Sequence, residues 1–209
     1  MHRGPTRRGF TLVELLIVVT ILALIGFMAM QRFGLRAKET REKVVHEDMR
    51  RIISAELACM NDTGFFVSLN KLDDVFDSGV SGPAPGPDGD LTDYLPYPKM
   101  GAIDPQTGGH FEIDAGTPRG RRFYESWNGP YINFIKDEDK DDRPEDPWGG
   151  EYELYTSQGR SNSSTSFTVL DPSPFDRFVL VSSGPNGLLG NDGDLMSAGQ
   201  GDDIVIGFQ

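Results

Sequence analysis

Two regions of the chain contain residues whose types and spacing could do chemistry, and the first lies at the N-terminus. Gly9 and Phe10 form a junction before an apolar run, and that run is broken by a single acid, Glu14. An ionised carboxylate at membrane depth costs about 2.5 to 3.5 kcal/mol and usually marks a partner or a function. In a chain cut after Gly9, the new amine of Phe10 could neutralise Glu14 on a neighbouring subunit. The alternative is a plain anchor with an acid tolerated near its cytoplasmic end.

The second region is an acidic loop over residues 186–203, which also contains several glycines. Ca²⁺ binds roughly six to eight oxygen atoms from carboxylates, amides and backbone carbonyls. Carboxylates this dense would repel one another without a cation among them. We therefore predict a structural calcium site here, and an acidic, solvated loop is the alternative. The side chains that offer oxygen atoms are Asn186, Asn191, Asp192, Asp194, Asp202 and Asp203.

Enzyme chemistry finds little support in the sequence. The chain contains no GxSxG, HExxH, CxxC or Walker motif. His110 has no Cys or second His at metal-ligand spacing, and a single cysteine, Cys59, excludes an intramolecular disulfide. The acidic run at residues 137–142 lacks the glycine and the glutamate of an EF-hand loop and is interpreted as a solvated charge run, with a weak cation site as the alternative. We expect a protein that is not an enzyme, and a hydrolase with an unrecognised carboxylate pair is the alternative.

The apolar run over residues 10–30 is long enough to cross a membrane. A bilayer core about 30 Å thick needs roughly 20 mainly apolar helical residues. Arg3, Arg7 and Arg8 precede the run without an acid among them. By the positive-inside rule, this arrangement keeps the N-terminus in the cytoplasm. The sequence therefore predicts a single-pass anchor with the rest of the chain on the other side of the membrane.

The net charge of the chain indicates which classes of partner it can bind. The 209 residues contain 20 Lys and Arg against 32 Asp and Glu, a net charge of -12. Removal of residues 1–9 takes away three arginines and leaves 17 basic against 32 acidic side chains, or -15. Such a surface repels phosphate backbones, so we expect no nucleic-acid partner.

Helical periodicity continues beyond the apolar run. Apolar residues recur at three- and four-residue spacing among charged neighbours, which indicates one buried helical stripe. Residues 61–64 read Asn-Asp-Thr-Gly and form a stop signal. We predict one long helix over residues 10–60, although an anchor with a helical spacer would show the same pattern. The stripe consists of Val45, Met49, Ile52, Ile53 and Leu57.

Strand patterns are concentrated near the C-terminus. Residues 151–156 alternate apolar and polar side chains, residues 177–182 are rich in β-forming residues, and residues 204–206 are short and β-branched. Glycine-rich turns between them suit a small antiparallel sheet with one face on the amphipathic half of the helix. The predicted fold class is therefore α+β, a long N-terminal helix with a small antiparallel head.

The N-terminal motif resembles the class III signal of type IV pilins and type II secretion pseudopilins. The resemblance rests on Gly9, Phe10 and Glu14 within GFTLVE and on the apolar residues that follow. It implies that a prepilin peptidase cuts after Gly9 and methylates the amine of Phe10. It also implies that Glu14 guides subunit docking and that the fold is pilin-like.

Three C-terminal segments are similar to those of major pseudopilins of type II secretion. They read GPY from Gly129, DPWGGEY from Asp146, and SSGPNG from Ser182, and an Asp-Asp-Ile ends the acidic loop. The resemblance implies that calcium is held by the carbonyls of Ser183 and Leu188 and by side chains of three further residues. Those three are Asn186, Asp202 and Asp203.

This chain departs from that pattern in two ways. Asn186 stands where the family has an aspartate, which removes one negative charge. The loop is also longer, so that Asp192 or Asp194 could take over a ligand position.

The resemblance implies a structural subunit of a periplasmic pseudopilus that drives export through the type II secretion system. The implied partners are copies of itself, minor pseudopilins, the prepilin peptidase, the inner-membrane assembly platform and ATPase, and the outer-membrane secretin. The subunit would lie in the inner membrane, N-terminus in the cytoplasm and head in the periplasm, before it assembles. The alternatives are a type IV pilin or minor pseudopilin for adhesion or motility, and a membrane-anchored binding module.

These observations predict five segments. Residues 1–9 are a leader peptide, residues 10–33 a transmembrane helix half, and residues 34–62 an amphipathic helix half. Residues 63–126 are a variable, loop-rich insertion with a short helix at residues 69–75. Residues 127–209 form the C-terminal β-sheet region with the calcium loop.

Overall fold

The computed structural model describes residues 11–76, 94–95, 99–133, 144–161, 173–191 and 193–208. The chain divides into two compact units, Met1–Lys43 and Val44–Gln209. The predicted leader peptide, the cleavage junction and the acidic run at residues 137–142 lie outside the described residues.

A single long helix, α1, spans Leu12–Thr63 and contains 52 residues. It ends within the predicted stop signal, where Gly64 has a φ of 83° and its N–H donates to the Met60 carbonyl at 2.8 Å. A positive φ of this kind favours glycine at the residue after a helix. The Thr63 hydroxyl donates to the Cys59 carbonyl at 2.8 Å and strengthens the same end. Within the part of the chain described here, no helix is long and apolar enough to cross a membrane.

The second half of α1 contributes one face to the hydrophobic core of the Val44–Gln209 unit. Val45, Met49 and Ile52 are buried, while Ile53 and Leu57 are half-buried against the core. The buried stripe then continues through Glu56 and Cys59 rather than through further leucine or isoleucine. All these spacings are three or four residues, so the face stays aligned along the helix.

The residues after α1 form short strands and a second helix. β1 is Phe66–Val67, a 3₁₀ turn covers Leu69–Lys71, and β2 and β3 are Val75–Phe76 and Tyr94–Leu95. β4 is Lys99–Ile103, β5 is His110–Asp114, and α2 is Pro118–Ser126. β1, β4 and β5 make an antiparallel sheet, and β2 pairs with β3 in parallel.

The described part of residues 63–126 therefore contains regular structure that the sequence analysis did not predict. Buried side chains from this segment include Phe66, Met100, Ile113 and Phe123, and they belong to the same core as α1. The predicted short helix at residues 69–75 is a single 3₁₀ turn followed by strand β2. The segment is thus part of the core as well as a source of loops.

A second antiparallel sheet forms near the C-terminus. β6 is Tyr152–Thr156, β7 is Gly159–Ser161, β8 is Phe178–Ser182 and β9 is Ile204–Phe208, in the order β7-β6-β8-β9. β6, β8 and β9 correspond to the three predicted strands, and β7 was not predicted. Leu154 pairs with Leu180, and Leu180 pairs with Ile206, so apolar side chains form a row across the sheet.

The two faces of this sheet pack on different groups of residues. Leu154 and Leu180 belong to the main core with α1, while Tyr155 and Val179 join a smaller cluster on the opposite face. Because side chains alternate along a strand, neighbouring residues divide between the two faces. Ala198, from the acidic loop, packs into the smaller cluster and holds that loop against the sheet. The described residues form a long helix followed by sheets that are antiparallel except for the β2–β3 pair, an α+β arrangement.

Candidate functional sites

Glu14, the acid singled out by the sequence, lies in the first turn of α1. Its N–H donates to the Thr11 carbonyl at 3.1 Å and to the Thr11 hydroxyl at 3.3 Å. Thr11 followed by Glu14 three residues later is the pattern of a helix capping box. The Glu14 side chain is exposed, so its carboxylate is accessible to another molecule. Gly9 and Phe10, the predicted processing residues, lie outside the described residues.

The first turns of α1, on both sides of Glu14, present apolar side chains to the surroundings. The exposed fractions run from 46% at Val18 to 83% at Leu12. A helix that is apolar on every side needs a membrane or other helices around it. The exposed large side chains are Leu12, Val13, Leu15, Leu16, Ile17, Val18, Val19, Ile21, Leu22, Leu24, Ile25, Phe27 and Met28.

The acidic loop begins with a tight approach of two chain segments. Gly184 has a φ of 64°, and a Cβ added there would lie 2.3 Å from the carbonyl oxygen of Asp202. Only glycine fits this position, because both the conformation and the space exclude a side chain. The approach brings Asn186 beside Asp202, whose Oδ2 accepts the Asn186 backbone N–H at 3.1 Å. The Asn186 side-chain amide donates to Asp202 Oδ1.

Asp203 occupies the centre of the loop. Its Oδ2 accepts the backbone N–H groups of Gly190 and Gly199, both at 2.8 Å. Its Oδ1 is buried and has no hydrogen-bond partner among the described residues. Leaving such an oxygen unsatisfied costs roughly 1 to 3 kcal/mol, and more when the group is charged. An orphaned, buried carboxylate oxygen is a position that a cation would satisfy.

The other predicted ligands differ in whether the structure places them near Asp202 and Asp203. Asp194 Oδ1 accepts the Met196 N–H at 3.1 Å and caps its own turn, while Asp192 lies outside the described residues. Asn186 Oδ1 accepts the Leu188 N–H at 2.7 Å. The structure therefore brings Asn186 into contact with Asp202, beside Asp203, and shows no such contact for Asp194 among the described side chains.

The chemistry of this donor set fits calcium only with help from amide and carbonyl oxygens. Within the described ranges, no three His, Cys, Asp or Glu side chains form a group that could hold a metal. Asp202 and Asp203 supply the carboxylates here, and calcium accepts carbonyl and amide oxygens as readily as carboxylates. The orphaned oxygen of Asp203 and the close packing at Gly184 favour such a site. Calcium binding stays a prediction.

The segments that resemble pseudopilins act as structural connections. Asp146 is fully buried, and its Oδ1 accepts the N–H groups of Trp148 and Gly150 at 2.8 and 2.9 Å. The Ser182 hydroxyl donates to Asp146 Oδ2 at 2.6 Å. In the GPY segment, the Tyr131 hydroxyl donates to Asp62 Oδ2 at 3.1 Å, near the end of α1. Both segments therefore fix loops to regular elements.

His110 occupies a packing position. The side chain is half-buried, and its Nε2 lies 3.4 Å from the Thr156 hydroxyl. Burial lowers the pKa of His110 below its ordinary value. A neutral imidazole that contacts a buried hydroxyl is consistent with packing between strands.

Sequence reasoning missed Glu56, which is fully buried in the core-facing stripe of α1. Its Oε2 accepts the Val67 N–H at 3.3 Å, and its Oε1 has no partner among the described residues. Burial raises the pKa of Glu56 to about 8. The signal was present in the sequence, because Glu56 lies four residues after Ile52 and three before Cys59.

Comparison with known proteins identifies the N-terminal region. Residues 5–30 match the family described as "Prokaryotic N-terminal methylation motif". No curated protein matches the chain, and no solved structure matches it. The matched residues include Gly9, Phe10 and Glu14, and the match covers 26 of the 209 residues of the chain.

Proposed function

We propose that this chain is a structural, non-catalytic subunit of a type II secretion pseudopilus. The observation that carries the proposal is the N-terminal methylation motif over residues 5–30, joined to a helix that exposes Glu14 in its first turn. The pseudopilin-like segments from Gly129, Asp146 and Ser182 favour this branch over an adhesive or motility pilin. A genomic neighbourhood with a secretin and an assembly ATPase would support the same choice.

The assembly mechanism follows from two properties of the first turns of α1. Before assembly, the apolar residues are held in the inner membrane with the head in the periplasm. Cleavage after Gly9 gives Phe10 a free amine, which remains protonated after a single methylation. That ammonium then pairs with Glu14 of an adjacent subunit as the apolar surfaces of the helices pack together. The pairing removes the cost of an isolated carboxylate in apolar surroundings.

Calcium is part of the proposal for the head. Asn186, Asp202 and Asp203 would hold the ion together with the carbonyls of Ser183 and Leu188. The bound ion would supply positive charge that offsets the repulsion between the two aspartates. The chain's own residues close the loop, because Asp203 accepts two backbone N–H groups and Ala198 packs on the sheet. A rigid head would then present a constant surface to its neighbours and push exported proteins through the secretin.

The experiment that tests the assembly mechanism is Glu14→Ala, with Glu42→Ala as the matched control. Both residues are acids on α1, but Glu14 is exposed while Glu42 is half-buried and lies 3.9 Å from Lys38 in a surface pair. Removing one partner of a buried ion pair costs roughly 3 to 5 kcal/mol. We therefore expect Glu14→Ala to be processed normally yet to reduce assembled filament at least about tenfold. Glu42→Ala should assemble like the wild type.

Filaments are measured by shearing them from overproducing cells and by electron microscopy. Processing is measured by the size of the membrane-bound chain. Unchanged filament yield in Glu14→Ala would contradict the docking role of this carboxylate. Loss of filaments in both variants would point to a general effect of helix charge instead.

A further inference from the structure

Helix α2 concentrates positive charge in a strongly acidic part of the chain. Residues 52–209 contain ten Lys and Arg against 27 Asp and Glu, a net charge of -17. Three of those ten basic residues, Arg119, Arg121 and Arg122, lie within four positions of one another on α2. All three are exposed. The acidic head therefore carries a small basic surface on α2, in the segment for which sequence analysis found no role.

Two of these arginines line a cavity of about 440 Å³ between the end of α1 and α2. The Arg119 guanidinium stacks 4.3 Å from the centre of the Phe111 ring and 4.8 Å from that of Phe65. Such stacking on aromatic faces holds a guanidinium in place by cation–π attraction. Because its donors lie at the edge of the guanidinium plane, a stacked arginine can still bind a carboxylate with two hydrogen bonds. Arg122 and Ser126 add further donors to the same cavity.

The arginines of α2 are not neutralised within the described part of this chain. None of the described carboxylates lies within ion-pair distance of Arg119, Arg121 or Arg122. The pKa of Asp104 is lowered mainly by the backbone N–H groups of Gln106 and Thr107, which its Oδ1 accepts, and only to a smaller extent by the charge of Arg119. Arg121 does not line the cavity and donates to the Gly116 carbonyl at 3.4 Å.

We infer that the cavity lined by Arg119 and Arg122 is a docking site for carboxylates of a second copy of this chain in the filament. The inference rests on the proposed function. Mature subunits with a charge of -15 repel one another, so their contacts need positive charge on one side. Residues 123–209 of a neighbour carry five Lys and Arg against 16 Asp and Glu. Among the described ones, the exposed acids Glu125, Asp176 and Asp194 offer carboxylates for the arginines. A basic patch that meets a different, acidic surface is a heterologous contact, the kind that builds open helical filaments.

The test compares Arg122→Glu with Arg121→Glu in the full chain, expressed with its natural processing and assembly partners. The two variants change the net charge equally and lie one residue apart on the same helix. Only Arg122 lines the cavity. We expect Arg122→Glu to reduce sheared filament at least about tenfold, since like charges placed in an interface cost several kcal/mol. Arg121→Glu should assemble nearly as well as the wild type, and Arg122→Gln should give an intermediate loss.

The melting temperatures of the membrane-extracted subunits serve as the folding control. If Arg122→Glu unfolds the head, the filament yield of Arg122→Gln decides the test instead. Equal yields from Arg122→Glu, Arg122→Gln and wild type would overturn the inference. Equal losses from Arg121→Glu and Arg122→Glu would overturn it too, since the effect would then be one of overall charge. If the wild type forms no filament, the proposed function itself fails and the inference fails with it.

The occupant is identified with a photoreactive side chain at Ser126, an exposed residue that lines the cavity. Irradiation of filaments should give dimers of this chain, cross-linked from Ser126 to a peptide within residues 123–209 of the neighbour. A cross-link only to a different protein, such as an acidic exported protein, would contradict docking of a second copy. Absence of any cross-link in assembled filaments would also count against it.

Discussion

Glu56 is the residue whose position most changes the physical account of the head. Its carboxyl group lies in the stripe of α1 that otherwise buries Val45, Met49 and Ile52. Sequence periodicity placed this stripe correctly, but a charged residue is normally assigned to the solvated face. The core accommodates Glu56 for two reasons. Its Oε2 accepts a hydrogen bond from the Val67 N–H, and its carboxyl group keeps its proton, as the raised pKa indicates.

Stability should therefore depend on pH through Glu56. Its pKa is about 8 in the folded chain against an ordinary 4.5. Between these values, the folded state binds a proton that the unfolded state has lost, so stability falls as pH rises. We expect a loss of about 3 kcal/mol between pH ~5 and ~7.5, or about 1.4 kcal/mol for each pH unit. Below pH ~4.5, both states are protonated and this dependence disappears.

Urea unfolding of the full chain in detergent, followed by near-UV circular dichroism at both pH values, measures this dependence. Glu56→Gln removes the titrating group while preserving its size, so the variant should lose most of the pH slope. Glu42→Gln, on the same helix but with 43% of its side chain accessible to solvent, is the control and should keep it. An identical slope in the wild type and in Glu56→Gln would show that the carboxyl group is not buried in its neutral form.

At the scale of elements, the parts with a strong internal pattern were predictable. Helix α1 ends at Thr63 within the predicted stop signal, and β6, β8 and β9 lie where alternation or β-branched residues indicated strands. These segments carry their own periodicity, so their sequence identifies them without knowledge of their partners. Glu14 was placed by motif spacing in the same way and lies in the first turn of α1.

The elements between residues 63 and 126 depend on contacts that sequence cannot display. β1 has two residues and exists because Phe66 and Val67 pair with Ile103 and Ala102 of β4. Helix α2 has only two aromatic residues to mark its buried face, Phe123 and Tyr124, and a cap fixes its start: the Thr117 hydroxyl accepts the Gly120 N–H at 3.0 Å.

Long-range contacts also determine the candidate calcium site. The sequence identified the acidic residues, but loop folding decides that Asn186 meets Asp202 while Asp194 caps its own turn. A short segment of sequence shows which residues such a loop contains, but it does not show which of them come into contact when the loop folds.

Calcium binding can be tested on the loop as an element. A ligand that binds only the folded state stabilises it by RT ln(1 + [L]/Kd), or about 2.7 kcal/mol at a hundredfold excess over Kd. Excess chelator should therefore lower the melting temperature of the full chain in detergent by several degrees, and added Ca²⁺ should restore it. Asp203→Asn should abolish the calcium response because it replaces the central carboxylate with a neutral amide. The control Asp176→Asn, at an exposed residue outside the loop, should retain the response. No shift on chelation would show that calcium does not stabilise the head.

The whole molecule combines an exposed apolar helix surface with a strongly acidic head. The first property requires a membrane or neighbouring helices, and the second opposes close packing of identical subunits. A filament satisfies both if Glu14 meets the amine of Phe10 and if Arg119 and Arg122 meet neighbouring carboxylates. These two contacts connect the N-terminal chemistry with the surface charge of Arg119 and Arg122, which lie 109 and 112 residues after Phe10 in sequence.

Mass spectrometry of the N-terminal peptide from the membrane-associated chain tests the central claim most directly. Processing at the predicted junction gives a chain that begins at Phe10 and carries one added methyl group on its amine. Gly9 replaced by a bulky residue should leave the unprocessed precursor in the membrane. Recovery of the wild-type chain with residues 1–9 still attached and an unmodified Phe10 would contradict the account.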